Sequence, residues 1–334
     1  MIFARRTCQR RLDELRVSLD EDTVAKFAAR LNCPGKDCLA AMWEVAILHA
    51  LSKLGDVGNE IPLASGRRPD VAFTNGNLTF TADVTVVSDD GLDEKKPYEE
   101  LSTLIEACKT RLGLKIGGMD LRVGSRSEQT PRGTRTVLRL PDRRRLREFV
   151  RDEIEPRLRQ QIDEGKEVLN VSIEDERVAI QITIDPRKSP YSSGSYGSYD
   201  APTIKDRNPL YNALHSKAKQ VRGGSGFLGV IVGDGDSRSL ADRHNNWSEV
   251  SARAIADEFL RQNSSIHFVL LLSVREEPTG WSSINLRIRK LHGMLAFSRT
   301  TAVPAGLEQL FNSMMAEMPR PVAMPVNAAL RSRE

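Results

Sequence analysis

Three carboxylates, Glu44, Asp70 and Asp83, carry the chemistry that can be read directly from this sequence. Glu44 has Ile47, Leu48 and Leu51 at i+3, i+4 and i+7, so it projects from the apolar face of a helix. An acid in that position must be paired, protonated or bound to a cation. In residues 78–87 a period of two places Leu78, Phe80, Ala82, Val84 and Val86 on one strand face, and Thr79, Thr81, Asp83 and Thr85 on the other. Arg68-Pro69-Asp70 opens the preceding strand, where proline is tolerated, and hairpin pairing brings Asp70 close to Asp83. Two facing carboxylates repel unless a cation lies between them.

A helix glutamate, then Pro-Asp at a strand start, then Asp-x-Thr on the next strand resembles the PD-(D/E)XK restriction-endonuclease-like superfamily. More narrowly, Gly66-Arg-Arg-Pro-Asp-Val-Ala-Phe and Phe80-Thr-Ala-Asp-Val-Thr-Val-Val-Ser are similar to a group of bacterial proteins reading RPDF…FYVEAT. A later segment of that group is similar to Asn208-Pro-Leu-Tyr-Asn-Ala-Leu-His-Ser-Lys-Ala-Lys-Gln and the apolar run Phe227-Leu-Gly-Val-Ile-Val. The likeness covers about residues 40–112 and 205–235. Where the superfamily carries lysine, this chain and that group carry threonine, here Thr85.

The resemblance implies an α/β restriction-endonuclease-like core, a mixed sheet flanked by helices. It implies that Glu44, Asp70 and Asp83 hold Mg²⁺ or Mn²⁺ for phosphodiester hydrolysis of DNA, in bacterial defence against foreign DNA. Thr85 would contribute a hydroxyl or backbone contact. The missing lysine charge must come from elsewhere: Lys217 or Lys219 on a late helix are the preferred donors, with Lys95, Lys96 and Lys109 as further candidates. The same substitution opens an alternative, a catalytically inactive nuclease fold that binds nucleic acid or scaffolds a multiprotein complex. Nucleases of this kind also act as homodimers or beside a partner protein.

Residues 132–160 hold ten arginines against five acids, a local charge of +5. Arg132, Arg135, Arg139, Arg143, Arg144 and Arg147 suit phosphate-backbone contacts. The competing reading is a solvated helix laced with pairs such as Arg144 with Glu148 and Arg151 with Glu155. The whole chain has a formal charge of +4, which permits a nucleic-acid partner without requiring one.

The elements that must position these groups follow from periodicity. Residues 1–36 read as an N-terminal helical cap, and 37–115 with 205–275 as the nuclease-like core. Residues 116–204 read as a basic α+β insertion, and 276–334 as a C-terminal extension with a poorly ordered tail. Within them, 61–63, 71–73 and 78–87 are expected strands around an Asn-Gly turn. Pro156 should kink or interrupt a basic helix. Ser- and Gly-rich residues 189–199 are expected to form a mobile loop.

With 334 residues, 40% hydrophobic and 28% charged, the chain has the composition of a folded protein, and 334 residues suggest about two regions. Its longest apolar run falls far short of the roughly 20 residues of a membrane span, so a cytoplasmic location is expected. The four cysteines and five histidines show no zinc spacing, and Asp234-Gly-Asp236 lacks the later ligands of a calcium loop. No phosphate-cradling glycine loop occurs, so no nucleotide cofactor is expected.

Overall fold

The computed structural model describes residues 2–33, 35–76, 78–90, 92, 95–130, 133–187, 191–198, 202–241, 250–278 and 287–322. Two compact units divide the chain, one made of Met1–Asp89 with Pro202–Arg333 and the other of Asp90–Ala201. The first begins with helices α1 (Arg5–Glu14), α2 (Glu21–Asn32) and α3 (Lys36–Ser52) and strands β1 (Asp56–Gly58), β2 (Val71–Asn75) and β3 (Leu78–Val87). The second contains α4 (Lys95–Arg111), β4 (Met119–Val123), β5 (Ser125–Thr130), β6 (Gly133–Leu138), α5 (Leu146–Phe149), α6 (Glu155–Asp163), β7 (Leu169–Glu174), β8 (Ala179–Ile184) and β9 (Ser193–Tyr196). The first unit resumes with α7 (Pro209–Val221), β10 (Phe227–Asp234), α8 (Arg238–Ala241), α9 (Ala252–Gln262), β11 (Phe268–Pro278), β12 (Arg287–Phe297) and α10 (Leu307–Glu317).

The first unit is α/β, with a six-stranded mixed sheet in the order β1-β2-β3-β10-β11-β12. The three central strands β3, β10 and β11 run parallel, and β1, β2 and β12 are antiparallel to their neighbours. Parallel strands need cover on both faces. On one face Phe73, Phe80, Phe268 and Phe311 form an aromatic cluster that continues into Trp43 and Leu48 of α3. On the other, Val230, Val232 and Val269 meet Leu214 and Ala218 of α7 and Phe259 of α9. Gly233 lies on this sheet because a Cβ there would come 2.5 Å from the buried Trp43 ring, too close for any side chain. The Trp43 indole also donates to the Asp234 carbonyl at 2.9 Å, fixing α3 against the end of β10.

Several expected boundaries move. Residues 61–63 are not a strand, and β1 lies earlier, pairing with β2. Instead of forming a cap, α1, α2 and the 3₁₀ turn between them put Leu12, Leu15, Val24 and Phe27 into the same core as Trp43. The chain beyond 275 is not an appendage: β12 pairs with β11 along its whole length, and Leu307 and Phe311 of α10 join the aromatic cluster.

In the second unit a four-stranded sheet, β7-β8-β4-β9, packs on α4 and on the helical run through residues 146–163, with β5 and β6 as a separate hairpin. Helix α4 falls in this unit and not in the core segment ending at 115, because Leu101, Ile105 and Cys108 bury against its residues. The basic helix changes character at Pro156: a wider π turn at Val150–Ile154 ends just before it, and Pro156 sits in the first turn of α6, where a missing backbone N–H is tolerated. Residues 193–196, expected in a mobile loop, instead form β9, parallel to β4, with Tyr196 stacked 4.5 Å from the Tyr98 ring. Small residues permit this: Gly194 packs directly against the Tyr98 hydroxyl and the Leu121 carbonyl. No helix among the described residues is long and apolar enough to cross a membrane.

Candidate active site

The β2–β3 hairpin pairs Val71 with Ala82, so Asp70, one residue before β2, stands opposite Asp83. Alternation along β3 turns Asp83 away from the aromatic cluster and toward α7, whose buried stripe is Leu210, Leu214, Ala218 and Val221. Lys217 flanks that stripe between Leu214 and Ala218, and so faces the sheet. Asn208 starts α7 by accepting the Tyr211 amide at 3.1 Å, which sets the register of the helix.

The result is a compact polar cluster under α7. Lys217 Nζ lies 3.0 Å from Asp83 Oδ1, 3.4 Å from Asp70 Oδ2 and 3.0 Å from Gln220 Oε1. Asp70 Oδ2 also accepts the Val84 amide at 2.8 Å, which locks its carboxylate to the β3 backbone. Asp83 is completely buried and its Oδ2 has no hydrogen-bond donor. Burial, and then the facing Asp70 carboxylate, push the Asp83 pKa up to about 8, against the opposing pull of Lys217. Burial disfavours the charge on Lys217, but Asp70 and Asp83 outweigh it and hold the ammonium above its ordinary value.

Glu44 is buried on α3 and takes the reading open to any core acid, a salt bridge. Both its oxygens accept from Arg30 of α2, at 2.7 and 2.8 Å. Burial raises its pKa against the Arg30 bond, and its field reaches Asp70 and Lys217. Among the described residues, no three His, Cys, Asp or Glu side chains are grouped so that they could hold a metal ion. The structure thus brings Asp70, Asp83 and Lys217 together and leaves Glu44 engaged by Arg30.

Thr85 follows Asp83 by two residues on β3 and is half-buried. Lys219 is exposed, turned about 200° around α7 from Lys217. Lys109 is fully buried in the second unit on Glu106 and the Gly117 carbonyl, and Lys96 pairs with Asp90 at 3.5 Å. The Lys95 side chain and Arg132 lie outside what is described. Gln220 and Arg30 were not anticipated. The i+3 spacing from Lys217 to Gln220 could have signalled the first, but Arg30 carries no local sign of its partner fourteen residues on.

The arginines of the second unit divide. Arg139 bonds the Asp175 carbonyl and lies 3.5 Å from Glu174, and Arg143 pairs with Glu100 at 2.6 Å. Arg135, Arg144 and Arg147 are exposed. The expected Arg144–Glu148 and Arg151–Glu155 pairs are replaced. Arg145 meets Glu148 at 3.9 Å, Arg151 meets Asp152 at 2.6 Å, and Glu155 is taken by Arg111 and Arg159. Arg144 sits in a 3₁₀ turn and Arg151 in the π turn, where residues four apart no longer stack. Asp234 folds its Oδ1 back onto the amides of Asp236 and Ser237, as a tight turn requires.

The sequence matches no protein-family model and no curated protein.

Proposed function

We propose that this protein is a metal-dependent nuclease with a restriction-endonuclease-like core that hydrolyses phosphodiester bonds in DNA and, following the sequence resemblance, serves defence against foreign DNA. The observation that carries this reading is Lys217: its ammonium stands 3.0 Å from Asp83 and 3.4 Å from Asp70, supplying from a helix the charge that Thr85 lacks. Asp70 and Asp83 would hold Mg²⁺ or Mn²⁺, since hard oxygen donors suit these ions and the buried Asp83 Oδ2 has no other partner. Held there, the ion would supply Lewis-acid chemistry, polarising the phosphodiester and lowering the pKa of an attacking water. Lys217 offsets negative charge as it develops on the phosphate, Gln220 orients the ammonium, and the Val84 amide holds Asp70 in place.

A second reading is favoured by one feature. Lys217 already lies between the two carboxylates, so the cluster is neutralised by the chain itself, as suits an inactive nucleic-acid-binding subunit. Supercoiled plasmid incubated with the full-length protein and Mg²⁺ or Mn²⁺ separates the two. Nicked or linear product from wild type and none from Asp83→Ala is the expected result, and equal cleavage by both overturns the assignment. Retardation of DNA on a gel without cleavage selects the second reading.

A further inference from the structure

His49 lies on α3, 2% exposed, with both ring nitrogens engaged by α1. Nε2 lies 2.7 Å from Glu14 Oε2, and Nδ1 lies 2.8 Å from a terminal nitrogen of Arg11, one helical turn away. These partners fix the proton. A guanidinium donates and cannot accept, so Nδ1 must present its lone pair; a carboxylate only accepts, so Nε2 must carry the hydrogen. The imidazole between them is therefore neutral. A second proton, placed on Nδ1, would meet the N–H of a permanently charged arginine.

The charged groups around the ring hold this arrangement. Lys53, just past α3, lies 3.2 Å from the same Glu14 oxygen, and Arg10 of α1 lies 3.8 Å from the other. The bonds from His49 and Lys53 pull the Glu14 carboxyl down to about 2, so it stays ionised near neutral pH. Glu317 of α10 acts on Arg11. Burial lowers His49 below its ordinary value; the Glu14 bond opposes this and Arg11 adds to it.

We propose that His49 is an acid-released clasp: while neutral it docks α1 on α3, and on taking up a second proton it breaks the Arg11 contact and α1 comes away. Leu12, the neighbour of Arg11 in α1, is fully buried and loses its cover when that happens. The released form binds one proton more than the docked form. Docking is thus complete above the ordinary histidine value of 6.5 and is lost as pH falls below it.

Hydrogen exchange of the full chain, each rate divided by its intrinsic rate at that pH, follows the α1 amides. Protection over Arg5–Glu14 should fall about tenfold between pH 7.5 and pH 5.5, as uptake of one proton below 6.5 requires. His49→Gln, whose amide can accept from Arg11 and donate to Glu14 without titrating, should keep its protection across the range. Arg11→Met leaves Nδ1 free to take the proton beside Glu14, and the acid loss should disappear. Wild type without the loss, or the same loss persisting in either variant, overturns the proposal. Ring ¹⁵N shifts of wild type at pH 7.5 test it without substitution: the Nε2–H tautomer is expected, and the Nδ1–H tautomer or an imidazolium overturns it.

Discussion

Lys217 Nζ lies 3.0 Å from Asp83 Oδ1 across 134 residues of chain, closing the cluster that the β2–β3 hairpin only begins. Lys217→Met should lower the rate of plasmid nicking by about 10²–10³-fold, the cost of removing one preorganised charge-stabilising group. Lys219→Met, on the exposed side of α7, should leave the rate unchanged. Initial rates with Mg²⁺ check both, and equal effects of the two substitutions would reject the assignment of Lys217.

The Asp83 carboxyl titrates near 8 in the folded protein against an ordinary value of 3.8. Between those values the native state holds a proton that the unfolded chain has released, so stability falls as pH rises through this window. The slope from one such group is at most about 1.4 kcal/mol per pH unit. Asp83→Asn removes the titration. Urea denaturation from pH 5 to pH 8 should show wild type losing stability relative to the variant, and parallel curves would contradict the buried proton. A divalent ion needs the deprotonated carboxylate, so Mg²⁺ affinity should rise over the same range.

Gly233→Ala places a methyl group 2.5 Å from the buried Trp43 ring. The strand and α3 cannot both keep their positions, and overpacking of this kind costs about 1–3 kcal/mol. Denaturant midpoints measure the loss, and an unchanged midpoint would mean that the Trp43 contact is looser than it stands here.

Arg144 and Arg147 are exposed, whereas Arg143 is held by Glu100 at 2.6 Å. If this surface follows the phosphate backbone, Arg144→Ala and Arg147→Ala should each weaken DNA retardation and reduce the salt slope by about one. Arg143→Ala should act less. Unaltered binding in the first two variants assigns the arginine-rich helix to solvation.

Much of the site was legible because it depends on local geometry. Strand alternation assigned Asp83 its face, and the turn through Gly76 assigned Asp70 its neighbour, since a hairpin of fixed loop length has one register. The sequence left Lys217 and Lys219 as equal candidates, and the helical spacing that buries Leu210, Leu214 and Ala218 separates them only once α7 is known to pack on β3. Less was legible at 193–196, where a Ser- and Gly-rich stretch pairs with β4. Composition there signals freedom of the isolated chain, and a neighbouring edge strand removes it.

By itself, then, the sequence determined the helices, the hairpin, and the carboxylate pair at its start, because hydrophobic period and turn chemistry act over a few residues. Tertiary structure alone decided that Lys217 completes the pair, that Arg30 takes Glu44, and that β12 and α10 belong to the core. These contacts join elements distant in the chain, and their partners are chosen by which apolar faces pack together, a property of the folded whole that no local spacing encodes.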